Sequence, residues 1–196
     1  GFLVGTGAGL ALYPLRSYAG PPPYPPVWTP TGWAPNPFIL ITASGDVTIW
    51  CHRSEMGQGV RSSLPVLIAD ELGADLASIK VIQADGDEKY GDQDTDGSSS
   101  VRMSFITLRE AAAAARMMLI GAAASRWRVP EGKLDTRDGH VWDGKRSLSF
   151  GELVTEAKLI GVPKKVRLRR LKELPHVGKE LPQRDAPSVV DGTAKY

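Results

Sequence analysis

Apolar residues run together in a few short blocks of this chain and recur at helical spacing in others. Residues 38–43 and 47–51 are rich in β-branched and aromatic side chains. They flank Ser44-Gly45-Asp46, turn chemistry that predicts a hairpin. Positions 60, 64, 67, 68 and 72 fall on one helical face. Pro65 predicts that the regular helix starts near it, because proline lacks the interior N–H. Residues 79–84 (IKVIQA) read as a strand, and 85–100 as a long loop dense in Gly, Asp and Ser. Phe105, Leu108, Ala112, Ala115, Leu119 and Ala122 then form one stripe of a long helix, whose alanines predict close packing against a neighbour. Short strands are expected within 133–137, 140–142 and 147–150, around Asp138-Gly139 and Asp143-Gly144. Ser149 and Glu152 have capping-box spacing, which predicts a helix over about 150–159. This order of elements predicts an α+β domain, a mixed β-sheet packed with helices.

The flanks differ in character. Residues 21–37 (PPPYPPVWTPTGWAPNP) are expected to be extended, a tether whose Tyr24, Trp28 and Trp33 pin it to a protein surface. Residues 1–15 carry no charge and begin with Gly. As a helix they are too short for a bilayer of about 30 Å. They fit the apolar part of an export signal or anchor that lacks its charged start, which predicts a periplasmic protein associated with the cytoplasmic membrane. Gly5-x-Gly7-x-Gly9 lacks the strand and helix that a dinucleotide fingerprint needs. Lys164, Lys165, Arg167, Arg169, Arg170 and Lys172 are expected to be a solvated face, a subunit contact or an anchor to anionic lipid. The predicted layout is an apolar remnant at 1–15, a tether at 16–37, a ligand-binding domain at 38–160 and a basic linker at 161–196.

Composition narrows the function. With 24 Lys+Arg against 22 Asp+Glu, the net charge of +2 excludes a whole-chain electrostatic nucleic-acid binder. A single Cys and three scattered His, at 52, 140 and 176, exclude a disulfide framework, a multi-Cys zinc site and a self-contained iron–sulfur site. No metal ligand set is assigned to this chain. No G-x-S-x-G elbow is present, and His52 beside Arg53 is expected at a surface or interface.

Two segments can carry chemistry. In Ser54-Glu55-Met56-Gly57-Gln58-Gly59-Val60 the glycines permit a tight turn into the helix, and free amides at a helix start favour an anion. Gln58 offers a donor and an acceptor to one ligand. In residues 90–101 (YGDQDTDGSSSV), hydroxyls and amides entering the long helix suit a phosphate. Asp92, Asp94 and Asp96 oppose one unless they point away. Their alternation also hints at calcium, without the terminal Glu of that pattern.

HRSEMGQGVRSSLPVLIADELGADLASIKV, YGDQDTDGSSSVR, RMMLIGAAASRWRVP and SFGELVTEA together resemble the molybdenum hydroxylases. The likeness is to the isoquinoline 1-oxidoreductase-like large subunits, a branch that includes exported and membrane-bound aldehyde dehydrogenases. It runs from about Asn36 to Tyr196. It implies a molybdopterin-binding portion of a larger subunit, the cofactor being molybdenum with molybdopterin, as the cytosine dinucleotide. By position, Gly57, Gln58, Gly59 and Val60 meet the pterin and the metal's ligands, with Gln58 a hydrogen-bond donor. Thr95, Gly97, Ser98, Ser99, Ser100 and Val101 hold the phosphate end, with Gln93 an accessory member. Asp96 departs from the family's usual Gly-Gly-Ser. The implied reaction oxidises an aldehyde to a carboxylic acid, with water supplying the oxygen. Electrons leave through [2Fe-2S] clusters of a small partner subunit, and a cytochrome c subunit with haem c is a further implied partner. The general-base glutamate is expected in the remainder of the large subunit, so this chain is not active alone. Hydroxylation of an N-heterocycle, or a non-catalytic nucleotide- or phosphate-binding module, are the alternatives.

Overall fold

The computed structural model describes residues 27–194. The apolar segment, the glycine triplet and the tether up to Pro26, Tyr24 included, lie outside the described residues.

Strands β1 (Val27–Thr29), β2 (Gly32–Asn36), β3 (Ile39–Ile41), β4 (Val47–Cys51) and β5 (Lys80–Gln83) line up in that order in one sheet. The pairings from β1 to β4 are antiparallel, whereas β4 and β5 are parallel. The parallel step is bridged by helix α1 (Val60–Leu72). Helix α2 (Ser99–Trp127) packs along α1, and its Ala112, Ala115 and Ala122 are wholly buried. Small side chains let the two axes approach closely, as the alanine stripe predicts. Strands β6 (Asp135–Arg137), β7 (His140–Trp142) and β8 (Ser147–Ser149) form a second antiparallel sheet. Helix α3 (Phe150–Ala157) follows, opened by the expected Ser149–Glu152 capping box. A short α4 (Ala186–Val190) comes last. The fold is α+β, as expected.

Three local expectations change. Residues 27–36 are not a tether but the β1–β2 hairpin, and Trp33 is wholly buried in the core rather than pinned on a surface. Pro35 is tolerated because the β2–β3 register breaks between Trp33 and Asn36, where a ladder donor is not needed. Helix α1 begins five residues before Pro65, so the proline sits inside it. Its missing N–H leaves the Arg61 carbonyl without the usual helical donor. Residues 131–133 form a 3₁₀ turn, and the strand starts only at Asp135.

The basic run is anchored by its backbone. Glu71 on α1 is fully buried between Arg109 and Arg116 of α2, at 2.9 and 3.0 Å. Its Oε1 also accepts the Arg169 amide at 2.7 Å. Arg109 and Arg116 donate to the carbonyls of Arg169 and Arg167. Arg169 reaches on to Asp135 and to the Thr136 carbonyl. Lys164, Lys165, Arg167 and Arg170 remain exposed, as a solvated face requires. The chain then runs back along α1. Asp70 accepts the amides of His176 and Val177, both at 2.8 Å, and Arg184 donates to the Leu76 and Ile79 carbonyls. Residues 167–185 thus form a strap held at both ends.

Candidate functional site

Strand β4 delivers residues 52–54 to one edge of the body, and the first loop turns there into α1. Glu55 decides the loop's chemistry. Its carboxylate accepts the amides of Gly57, Gly59 and Arg61 at 2.8–2.9 Å. Burial raises the Glu55 pKa, but those three donors together outweigh it and hold the group below the usual carboxylate range. The expectation of free, anion-seeking amides at the start of α1 is therefore corrected: an internal carboxylate already fills them. Gly57 adopts φ +96°, open only to glycine, and a Cβ there would meet no atom within 4 Å. Gln58 is exposed but folds onto its own loop. Its Nε2 donates to the Ser54 carbonyl at 2.8 Å, and its Oε1 accepts the Met56 amide at 2.5 Å. One N–H of Nε2 remains for a ligand. Val60 is buried in the core, so only its backbone can face the loop.

The second loop is clamped to the first. Arg53, with a side chain only 2% exposed, holds Asp92 through both guanidinium nitrogens, at 3.0 and 3.4 Å. This pair, with the Asp94 amide, holds the Asp92 carboxyl below its ordinary range. The Ser54 amide donates to Thr95 Oγ1 at 3.0 Å, joining the two loops directly. His52 is not at the surface, as expected from sequence, but buried against Phe38. Its Nε2 meets Ser104 Oγ of α2 at 3.1 Å, while its Nδ1 has no partner. Burial first, then the neighbouring Arg53 charge, push its pKa down to about 4.

At the start of α2, Ser98 adopts φ +56° and makes no side-chain cap bond. An ordinary N-cap spends its oxygen on the helix amides; this one does not. The first-turn amides of α2 also lack intrahelical partners, and of these the Ser99 amide donates to the Asp96 carbonyl at 2.9 Å. The Ser99 hydroxyl, in contrast, is used locally on the Asp96 carbonyl at 2.7 Å. Gly97 is open, with no atom within 4 Å of a Cβ position. Gln93 faces inward and donates to the Asp87 carbonyl. Asp94 and Asp96 stay exposed. Among the described residues, no group of three His, Cys, Asp or Glu side chains could hold a metal.

A cavity of about 460 Å³ opens beside the first loop. Gly57, Gln58, Gly59 and Val101, all expected at the site, line it. Gln93, Thr95, Gly97 and Ser98–Ser100 do not; they lie along the clamped second loop. Val66 and Leu67 of α1, both nearly buried, make an apolar floor with Phe105. The opposite wall is the strap, through His176, Lys179 and Gln183. Sequence reasoning missed that wall because it read 161–196 as a linker. The serines at 62 and 63, polar beside the apolar run Leu64–Ala69 of the same helix, were the available signal for the α1 side.

A family model described as a molybdopterin cofactor-binding domain matches residues 5–181. The beta chain of isoquinoline 1-oxidoreductase from Brevundimonas diminuta is 37% identical over 64% of the chain. The membrane-bound aldehyde dehydrogenase (pyrroloquinoline-quinone) of Gluconacetobacter polyoxogenes is 31% identical over 83%. A nicotinate dehydrogenase polypeptide of Pseudomonas putida is 29% identical over 81%. The chain spans only 17%, 22% and 14% of these relatives' lengths.

Proposed function

Because the chain belongs to the molybdopterin cofactor-binding domain family of the molybdenum hydroxylases, we propose that it forms the cofactor-holding part of a large subunit that oxidises an aldehyde to a carboxylic acid. The donor set supports this. The unspent Ser98 hydroxyl, Ser100 and the α2 first-turn amides beyond that of Ser99 suit anionic phosphates, and Arg53 offsets the Asp92 charge on that loop. The first loop suits the neutral, hydrogen-bonding edge of a pterin rather than a phosphate, because Glu55 has filled its amides. Gly57, Gln58, Gly59 and the Val60 backbone would meet that edge. Thr95, Gly97, Ser98, Ser99, Ser100 and Val101 would flank the phosphates, with Gln93 bracing the loop from behind. The molybdenum centre, when bound, supplies the redox chemistry that moves oxygen from water to an electron-poor carbon. The chain's own share is binding and orientation.

The observation that carries this reading is the Ser54–Thr95 bond, which brings the two loops to one rim. In the purified complex, replacing Ser98 and Ser100 with Ala should shed cofactor. Each lost bond to a charged acceptor is worth about 1.5–3 kcal/mol. Elemental analysis of molybdenum per chain reads the result, and full occupancy would overturn the cradle. No molybdenum with bound nucleotide would favour a plain nucleotide-binding module instead.

The aldehyde dehydrogenase relative supports the aldehyde, while the isoquinoline and nicotinate relatives favour hydroxylation of an N-heterocycle as the second reading. Turnover of each substrate class by the complex separates them. The same proposal includes the cytosine dinucleotide form of the cofactor, a small subunit with [2Fe-2S] clusters, a cytochrome c subunit with haem c, and the rest of the large subunit with the general-base glutamate. A periplasmic, membrane-associated location belongs to it as well. No helix of the described residues is long and apolar enough to cross a membrane, so that association would rest on another segment or a partner.

A further inference from the structure

We propose that His176, set by Asp70, is a ligand-contacting residue of the cavity, and that its Nε2 accepts a hydrogen bond from a ring N–H of a heteroaromatic ligand lying on the Val66–Leu67–Phe105 floor. The proposal deepens the functional reading above and rests on it for the identity of the ligand, though not for the contact.

The geometry starts at Asp70. Its side chain is 1% exposed and accepts three N–H groups, all from the strap. One of them is His176 Nδ1, at 2.7 Å. A carboxylate oxygen that close fixes the ring proton on Nδ1, which leaves Nε2 of the neutral ring as an acceptor. The ring is therefore fixed in both tautomer and orientation, at a wall of the cavity. The fold already has enough partners in this region without Nε2. The strap is held by two backbone amides on Asp70 and by Arg184 on the Leu76 and Ile79 carbonyls.

The wall chemistry restricts the ligand. The floor is apolar and nearly buried, which suits the face of an aromatic ring. The rim is polar on both sides, with Gln58 on the loop and His176, Lys179 and Gln183 on the strap. Among the described residues no carboxylate lines the cavity, and Lys179 supplies a positive charge. A flat ring with N–H donors on its edge and a negative charge nearby satisfies all of these; an aliphatic chain or a cation does not. Two sources share that chemistry: the pterin end of the cofactor and an N-heterocyclic substrate that carries a ring N–H of the lactam or pyrrole type, which a pyridine-type ring lacks.

The test uses three forms of the chain: wild type, His176→Leu and His176→Gln. Pterin-6-carboxylate, itself fluorescent, is titrated into the cofactor-free chain. The expected result is binding by wild type, a loss of about tenfold or more in His176→Leu, and near-wild-type binding by His176→Gln, whose amide oxygen restores an acceptor. Equal binding by all three, or by none, overturns the proposal. So does the same His176 dependence with benzoate, which has no ring N–H. In the molybdenum-loaded complex, His176→Leu should either lower pterin per chain or leave it full and raise KM for an N-heterocycle that carries a ring N–H, which identifies the source. Unchanged pterin and KM would overturn the contact. Absence of molybdenum and pterin from the wild-type complex would remove the functional reading alone, because the free-pterin titration does not depend on it.

Discussion

The His52 ring and the Gln58 carboxamide stand six residues apart and in opposite circumstances. His52 is enclosed, touching Phe38 and Ser104, with its pKa pressed from 6.5 to about 4. The unfolded chain takes up a proton below pH 6.5 that the folded chain refuses until about pH 4. The contribution to stability is therefore complete above pH 6.5 and drains away as acid approaches pH 4. Between pH 7 and pH 5 this group alone should cost about 2 kcal/mol. Urea unfolding of wild type and His52→Phe at both pH values measures it, and the variant should lack that loss. Gln58, by contrast, is exposed and keeps one donor unspent. Removing a preorganised donor from a reacting centre costs about 10²–10³ in kcat. Gln58→Ala in the complex should show that loss with molybdenum content retained; unchanged turnover would place Gln58 away from the centre.

At the scale of elements, the parts whose identity depends on local pattern were legible. The β3–β4 hairpin, α1, β5, the alanine-rich face of α2 and the capped start of α3 all follow from spacing, turn residues and caps. What failed has a common cause. Trp33 sits in a proline-rich stretch that reads as extended linker, yet its burial and a break in register make it a strand. Tertiary contacts, not propensity, decided it. The same holds at the first loop. Its glycines were readable, but Glu55's occupation of their amides is a matter of side-chain direction that no spacing reveals. The pairing of α1 with α2 around Glu71 was equally hidden, since neither Arg109 nor Arg116 is near it in sequence. Glu71→Ala would leave two arginines buried without their counter-charge, at about 3–5 kcal/mol. Thermal unfolding should show that loss, with faster amide exchange at Arg169, whose anchor Glu71 also is.

Taken whole, the chain places its chemistry where three separate stretches meet: the turn after β4, the entry to α2, and the strap that returns along α1. The first two are within fifty residues of one another. The third is more than a hundred residues beyond the first. The floor and one rim of the cavity are thus complete when α2 has formed, but the facing wall arrives only with His176 and its neighbours. On the ribosome, that wall emerges only after α1, α2 and α3 have done so. A nascent chain that has folded through α3 has a shelf, not a pocket. Loading of a bulky prosthetic group would consequently follow translation of this region, and a stop codon between Ala157 and Leu174 would leave α1, α2 and α3 complete but no wall to close the cavity.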